Sequence, residues 1–413
     1  MITVKPFKAL RPTKDLYPEI SSLPYDVPTL EECREIVSKN NKSLLRIIRS
    51  EVEFENVDPH SDIVYNKAKE IFNDFIKKGY LKQDEKECFY AYRLINGAHS
   101  QTGFITVISA LDYEEGRIKR HEKTRIDKEN DRVRNIETIG AQTGFIFLIY
   151  KSKEELNKIL KNIEKGVPDA EFTSGDNVTH SFWKIADDEL IAKIKNEFKK
   201  IDSVYIADGH HRCAASAAVA KKKAEASKTK EIEANYMLSI IYPDSSLKIL
   251  PYNRVVKDLN GLSKEEFIKK IEINFEIKKV NPNDKKGYAP VKQKNIGVYL
   301  SGQWYLLTPK NNIIKNDPLS FLDVSILQDN ILDPVLNIKD PRTDKRIDFI
   351  GGNKNSSYLT DLVDKNKFIA AFSMYPTSVA ELMAIADSNN LMPPKSTWFE
   401  PKPRSGMAIH LLD

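Results

Sequence analysis

The stretch "SVYIADGHHRCAASAAVA" (203–220) constrains the fold more than any other part of this chain. Its apolar start reads as a short buried strand, and the alanines after Arg212 read as a helix. Gly209 stands between them, the residue type that lets a backbone turn where side chains resist. A strand that ends in a glycine turn and returns as a helix beneath its own sheet belongs to an α/β arrangement. Such a turn also aims unsatisfied backbone N–H groups at one point. The helix dipole adds partial positive charge there, so a phosphate fits.

Asp208, Gly209, His210, His211 and Arg212 form the candidate site on that turn. Gly209 allows close backbone approach, and Arg212 offers a bidentate phosphate contact. His210 and His211 supply donors or a proton, while Asp208 is placed to hold Mg²⁺ or to orient a histidine. Gathering a carboxylate, two imidazoles and a guanidinium carries a desolvation cost that an ordinary turn has no reason to bear. A metal site is the weaker alternative, because adjacent histidines point differently and no second cluster has ligand spacing.

The remaining pattern predicts a mixed α+β chain. Helices are expected over 29–41, 61–80 (with Ile63, Ala68, Ile71, Phe72 and Phe75 inward), 152–164, 188–200, 263–275, 323–336 and 378–390. "CFYAYRLI" and "TGFITVISALDY" read as a hairpin with an Asn-Gly turn, and 141–150, 178–187, 236–243, 247–256, 294–301 and 304–309 as further strands. "SLLRIIRSE" (43–51) reads as strand more than helix. The passage 114–140 is polar and charge-dense, the segment 340–352, dense in alternating charge, reads as a surface or interface element, and the lysine-rich run 221–230 as a solvated helix end or loop. At 413 residues the chain is too long for one ordinary domain. Soft boundaries give an N-terminal α/β part (1–113), a core with an insertion (114–245) and a C-terminal α+β part (246–413).

Charge excludes some functions. The 64 basic residues are nearly balanced by 59 acidic ones, a net of +5, which gives no sign of a nucleic-acid binder. Cys33, Cys88 and Cys213 are few and far apart, and suggest neither a disulfide framework nor a zinc site. No secretory signal or run of about 20 apolar residues appears, so a cytoplasmic chain without a membrane partner is expected.

Asp208-Gly209-His210-His211-Arg212 resembles the phosphate box of the ParB/sulfiredoxin-like superfamily, in the form found in free L-serine kinases. "RHEKTRIDKENDR" (120–132), "DPVLNIKDPRTDKRIDFIGG" (333–352) and "MPPKSTWFEPKPRSG" (392–406) resemble, with the box, the hallmarks of a long bacterial and archaeal family. The resemblance implies a ParB/sulfiredoxin-like core with family-specific N- and C-terminal α/β additions. Sulfiredoxins carry a nucleophilic cysteine where this chain has His210, so cysteine chemistry is not expected. Cys213 falls at the buried start of the helix, an inert packing position. DNA-partitioning relatives carry a helix-turn-helix downstream, for which there is no convincing counterpart here.

What remains is phosphoryl transfer to or from a small molecule. Serine kinases use a glutamate early in the fold to accept the serine hydroxyl proton. Glu122 is the match, although its separation from Asp208 implies an insertion relative to the short kinases. His211, Asp208 and Glu122 are then the catalytic candidates. Gly209, His210, Arg212, Arg120, Arg125, Lys395, Ser396 and Thr397 are the phosphate or nucleotide candidates, and Arg46, Arg49 and His121 the substrate candidates. Trp398 and Phe399 could stack a nucleobase or simply pack.

The resemblance implies Mg²⁺, held by Asp208, with ATP or ADP as cofactors. The partners are a nucleotide and serine or O-phosphoserine, with homodimerisation open. The reaction runs as a serine kinase or in reverse as a phosphoserine phosphotransferase or phosphatase in serine biosynthesis. A ParB-like nucleotide-binding regulator without serine chemistry is the alternative.

Overall fold

The computed structural model describes residues 1–229, 231–281 and 287–413, so Lys230 of the lysine-rich run lies outside the described residues. The chain forms two units, Met1–Leu247 with Pro401–Asp413, and Lys248–Glu400. The expected boundary at 245/246 falls near the junction at 247/248. The one at 113/114 crosses a single sheet, and the last 13 residues return to the first unit.

Nine strands build the sheet of the first unit: β1 (Val4–Lys5), β2 (Phe89–Asn96), β3 (His99–Ser109), β4 (Ile118–Lys119), β5 (Ile146–Tyr150), β6 (Ala170–Thr173), β7 (Thr179–Ile185), β8 (Val204–Asp208) and β9 (Tyr236–Pro243). Their order is β4-β8-β5-β9-β3-β2-β7-β6, with β1 added beside β3. The hairpin β2–β3 closes with Asn96 opposite His99, and Gly97 takes φ 58° in the turn, a conformation that suits glycine. Pairing is mixed, with β9 parallel to β5 and antiparallel to β3. All five residues of β5 are buried, which explains why it reads as an unbroken apolar run.

Helices α1 (Leu30–Lys39), α2 (Asp62–Lys77), α3 (Ile126–Ile139), α4 (Glu154–Ile163), α5 (Asp188–Phe198) and α6 (His210–Ala226) accompany this sheet. The expected start of α1 is a capping box. Thr29 accepts from the Glu32 N–H at 3.2 Å, and Glu32 accepts from the Thr29 N–H at 2.8 Å. In α2, Ala68, Ile71, Phe72 and Phe75 face inward as expected, whereas Ile63, in its first turn, stays exposed.

Residues 43–51 are not a strand. They form a helical turn, Leu45–Ile48, and a 3-10 turn, Ser50–Glu53. Leu44, Leu45, Ile47 and Ile48 are all buried, and so short an apolar run is ambiguous by periodicity alone. The polar passage 114–140 contains α3, whose Ile136 packs against Ala215 and Val219 of α6. On its other side α6 lays Cys213, Ala217 and Ala220 into the core beneath the sheet. Small side chains let this helix approach closely on both faces, which fixes its N-terminus at the end of β8.

The second unit is an antiparallel sheet of β10 (Tyr252–Val256), β11 (Phe275–Val280), β12 (Ile296–Leu300), β13 (Gln303–Pro309), β14 (Ile347–Gly351) and β15 (Ala370–Met374), in the order β11-β13-β12-β15-β10-β14. The segment expected as a charged surface element supplies β14, an edge strand on β10. No helix among the described residues is long and apolar enough to cross a membrane.

Candidate functional site

The site lies where β8 becomes α6. A bulge in the β5–β8 pairing between Ile206 and Asp208 turns the strand end, and Gly209 follows with φ 87° and ψ 33°. A Cβ on Gly209 would lie 2.9 Å from the Arg212 guanidinium carbon, so the side chain folded over it would have to shift, and the left-handed backbone itself favours glycine. Helix α6 is 17 residues long, and the N–H groups of its first turn have no intrahelical acceptor.

Arg212 donates from Nη1 to the Phe145 carbonyl and from Nη2 to Asp208 Oδ2 at 3.3 Å. Its Nε is buried and has no hydrogen-bond partner among the described residues. Lys402, from the returning C-terminal segment, donates from Nζ to the same Asp208 oxygen at 3.1 Å. Burial pushes the Asp208 carboxyl up, but Lys402 and Arg212 outweigh it and hold the group well below the usual carboxylate range. Burial likewise works against the Lys402 ammonium, and Asp208 and Asp26 more than offset it, so its affinity for the proton rises. Arg212 and Lys402 put two positive charges against the one of Asp208, with the exposed Asp26 a further negative charge acting on Lys402.

His210 is buried, and burial together with His121 holds it neutral, far below the usual histidine range. The rings of His121 and His210 meet edge to face at 4.6 Å, and the His121 backbone N–H points to His210 Nε2 at 3.5 Å. Glu122 Oε2 lies 3.9 Å from His210 Nδ1, and its side chain is 49% exposed. The Arg125 N–H donates to His211 Nε2 at 3.0 Å, which leaves the proton of a neutral His211 on Nδ1. Burial lowers the pKa of His211 against the pull of Asp26 and Glu129. The passage 120–125 and the turn 208–212, far apart in sequence, thus make one cluster.

The expectation that no second group has metal-ligand geometry is corrected here. His121, Glu122 and His210 each offer a ligand atom within 4.8 Å of the others. Sequence spacing could not show this, because the two histidines come from different segments. Mg²⁺ at Asp208 fits poorly. The carboxylate already faces two cations, its neighbours are imidazoles, and Mg²⁺ takes oxygen ligands.

The family described as Protein of unknown function (DUF1015) matches residues 4–325. The chain belongs to it. Among curated proteins none matches. Solved structures with a likeness include free serine kinase in complex with AMP, at 12% identity and a TM-score of 0.34, covering 71% of this chain and 86% of that one. A conserved hypothetical protein from Pyrococcus furiosus shows 12% identity and a TM-score of 0.32, covering 71% and 90%. SbnI with a C-terminal truncation, from Staphylococcus aureus, shows 10% identity and a TM-score of 0.37, covering 74% and 87%. At such scores the site of this DUF1015 chain has to be read from its own geometry.

The other sequence candidates are placed as follows. Arg120 is exposed and acts on Tyr113, and Arg125 is exposed and paired with Asp127 at 2.8 Å. Arg46 makes a two-pronged bond to Glu53 at 2.7 and 2.8 Å. Arg49 binds Glu51 at 2.6 Å and the Tyr25 carbonyl at 2.7 Å. Both arginines therefore tie the N-terminal helical region together. Lys395, Ser396 and Thr397 belong to the second unit, where Lys395 reaches over the Tyr252 ring and Ser396 donates to the Pro393 carbonyl at 2.6 Å. Lys402 is the residue sequence reasoning missed. Its signal was a lysine between two prolines in "EPKPR", a stretch too rigid to be a solvated tail.

Burial also sets a pH response. It lowers His121 to about 4 and, with Arg404 adding to burial, His180 to about 3, against 6.5 for an ordinary histidine. Below 6.5 the unfolded chain binds protons that the folded chain refuses, so stability falls as pH drops from 6.5 towards 4. His121 alone accounts for roughly 3 kcal/mol over that window. Urea midpoints measured between pH 4.5 and 7 should rise with pH and then flatten.

Proposed function

We propose that this protein transfers a phosphoryl group between a nucleotide and serine or O-phosphoserine. The observation that carries the reading is the excess of covered positive charge, Arg212 and Lys402 against Asp208, at the N-terminus of a long helix. Such a point accepts phosphoryl oxygens and stabilises the charge that spreads over them during transfer. Serine as the small molecule is supported by the form of the Asp-Gly-His-His-Arg box.

In this reading Arg212, His211 and the first-turn N–H groups hold phosphate, with Lys402 beside them and the buried His210 behind the turn, its Nε2 facing the His121 N–H. Asp208 keeps the two cations in place. Glu122 takes the serine hydroxyl proton as the oxygen attacks phosphorus, and returns a proton to the leaving oxygen in reverse. ATP or ADP supplies or accepts the phosphoryl group, or water accepts it, and the setting is cytoplasmic.

The test supplies purified protein with O-phosphoserine and Mg²⁺, with and without ADP, and quantifies serine, ATP and free phosphate. Serine and ATP appearing together means transfer, and free phosphate alone means hydrolysis. Silence here and with serine plus ATP or ADP rejects the serine reading, and a mobility shift on DNA would favour the regulator.

A further inference from the structure

We infer that His121, Glu122 and His210 form a binding site for a divalent transition metal of the Zn²⁺ or Co²⁺ class, not for Mg²⁺. One ligand atom from each lies within 4.8 Å of the others. Both imidazoles are buried, His121 at 2% exposure and His210 at 5%. His121 Nδ1 has no hydrogen-bond partner among the described residues, an orphaned ring nitrogen in a covered place. A neutral imidazole binds a metal through such a nitrogen.

Donor chemistry selects the ion. Two imidazoles and one carboxylate suit zinc and its neighbours, whereas Mg²⁺ demands oxygen. Ligands of a tetrahedral zinc stand about 3.4 Å apart, so the set must close by rotamer-scale movement. Glu122 is half exposed and able to make it. Three protein ligands leave a coordination position open beside the turn, as in catalytic rather than structural sites. A carboxylate that ligates through one oxygen keeps the other for a substrate proton, so this site is compatible with the proposed transfer. It does not depend on that transfer, because the metal is measured alone.

The experiment dialyses the full chain against chelator and titrates Co²⁺, following its visible absorption, with Zn²⁺ as competitor. One equivalent of Co²⁺ should bind with a low-symmetry spectrum, be displaced by Zn²⁺ and resist a hundredfold excess of Mg²⁺. Glu122→Gln, at a half-exposed position that spares the fold, should weaken binding at least tenfold, and His121→Gln should abolish the spectrum. His99→Ala, on the β2–β3 turn, should leave it unchanged. Absence of the spectrum, displacement by Mg²⁺, or unaltered binding in Glu122→Gln would each overturn the inference.

Discussion

Asp208→Ala is expected to destabilise the first unit by about 3 kcal/mol, read as a fall in the urea midpoint. Removing one partner of a covered ion pair costs roughly 3–5 kcal/mol, because the remaining charge loses its compensation. The lower end applies because Asp208 is itself 26% exposed. Two cations are left facing each other, with side chains only 11% and 12% exposed. If that charge exists to receive phosphate, millimolar inorganic phosphate should restore part of the lost stability, since an anion that binds only the folded state adds RT ln(1 + [L]/Kd). The wild type should gain less, because Asp208 already neutralises one charge. A variant that phosphate leaves untouched would mean that the turn is a structural ion pair and nothing more.

The turn was legible in the sequence because its chemistry is local. Strand, glycine and helix follow one another within a few residues, and the backbone conformation at Gly209 is written in the residue type. The hairpin and the start of α1 at residue 29 were legible for the same reason, as both depend on neighbours two or three positions apart. What stayed hidden depends on distance along the chain. The meeting of His121 with His210 needs β4 to lie beside β8, and the Lys402–Asp208 pair needs the C-terminus to return across the sheet.

Ambiguity of another kind affected residues 43–51 and β14. The first is an apolar run too short to show a period. The second is an edge strand whose alternating charges mimic a solvated loop, although Ile347 is buried and pairs with Val256. Arg46 and Arg49 show how residue type alone leaves two roles open. Guanidiniums suit a substrate carboxylate, yet these two already hold Glu53 and Glu51.

Glu122→Gln carries the largest expected effect on activity. A positioned acid/base group contributes about 10²–10⁴-fold to proton transfer, and the amide neither accepts nor donates the proton while keeping the size of the side chain. The rate of phosphoryl transfer should therefore fall by that factor in both directions. Stability should not change measurably, because the side chain is 49% exposed. The contrast with Asp208→Ala separates chemistry from architecture, since one variant folds normally and fails to turn over while the other loses stability that phosphate restores. Glu122→Asp sharpens the test. It keeps the carboxylate but shortens its reach, so it should recover part of the rate if proton transfer is at issue. If Glu122→Gln turned over phosphoserine at the wild-type rate, the acid/base assignment to Glu122 would be rejected, and His211, whose Nε2 accepts from the Arg125 N–H, would not replace it, since its neutral ring has no lone pair left to take a proton.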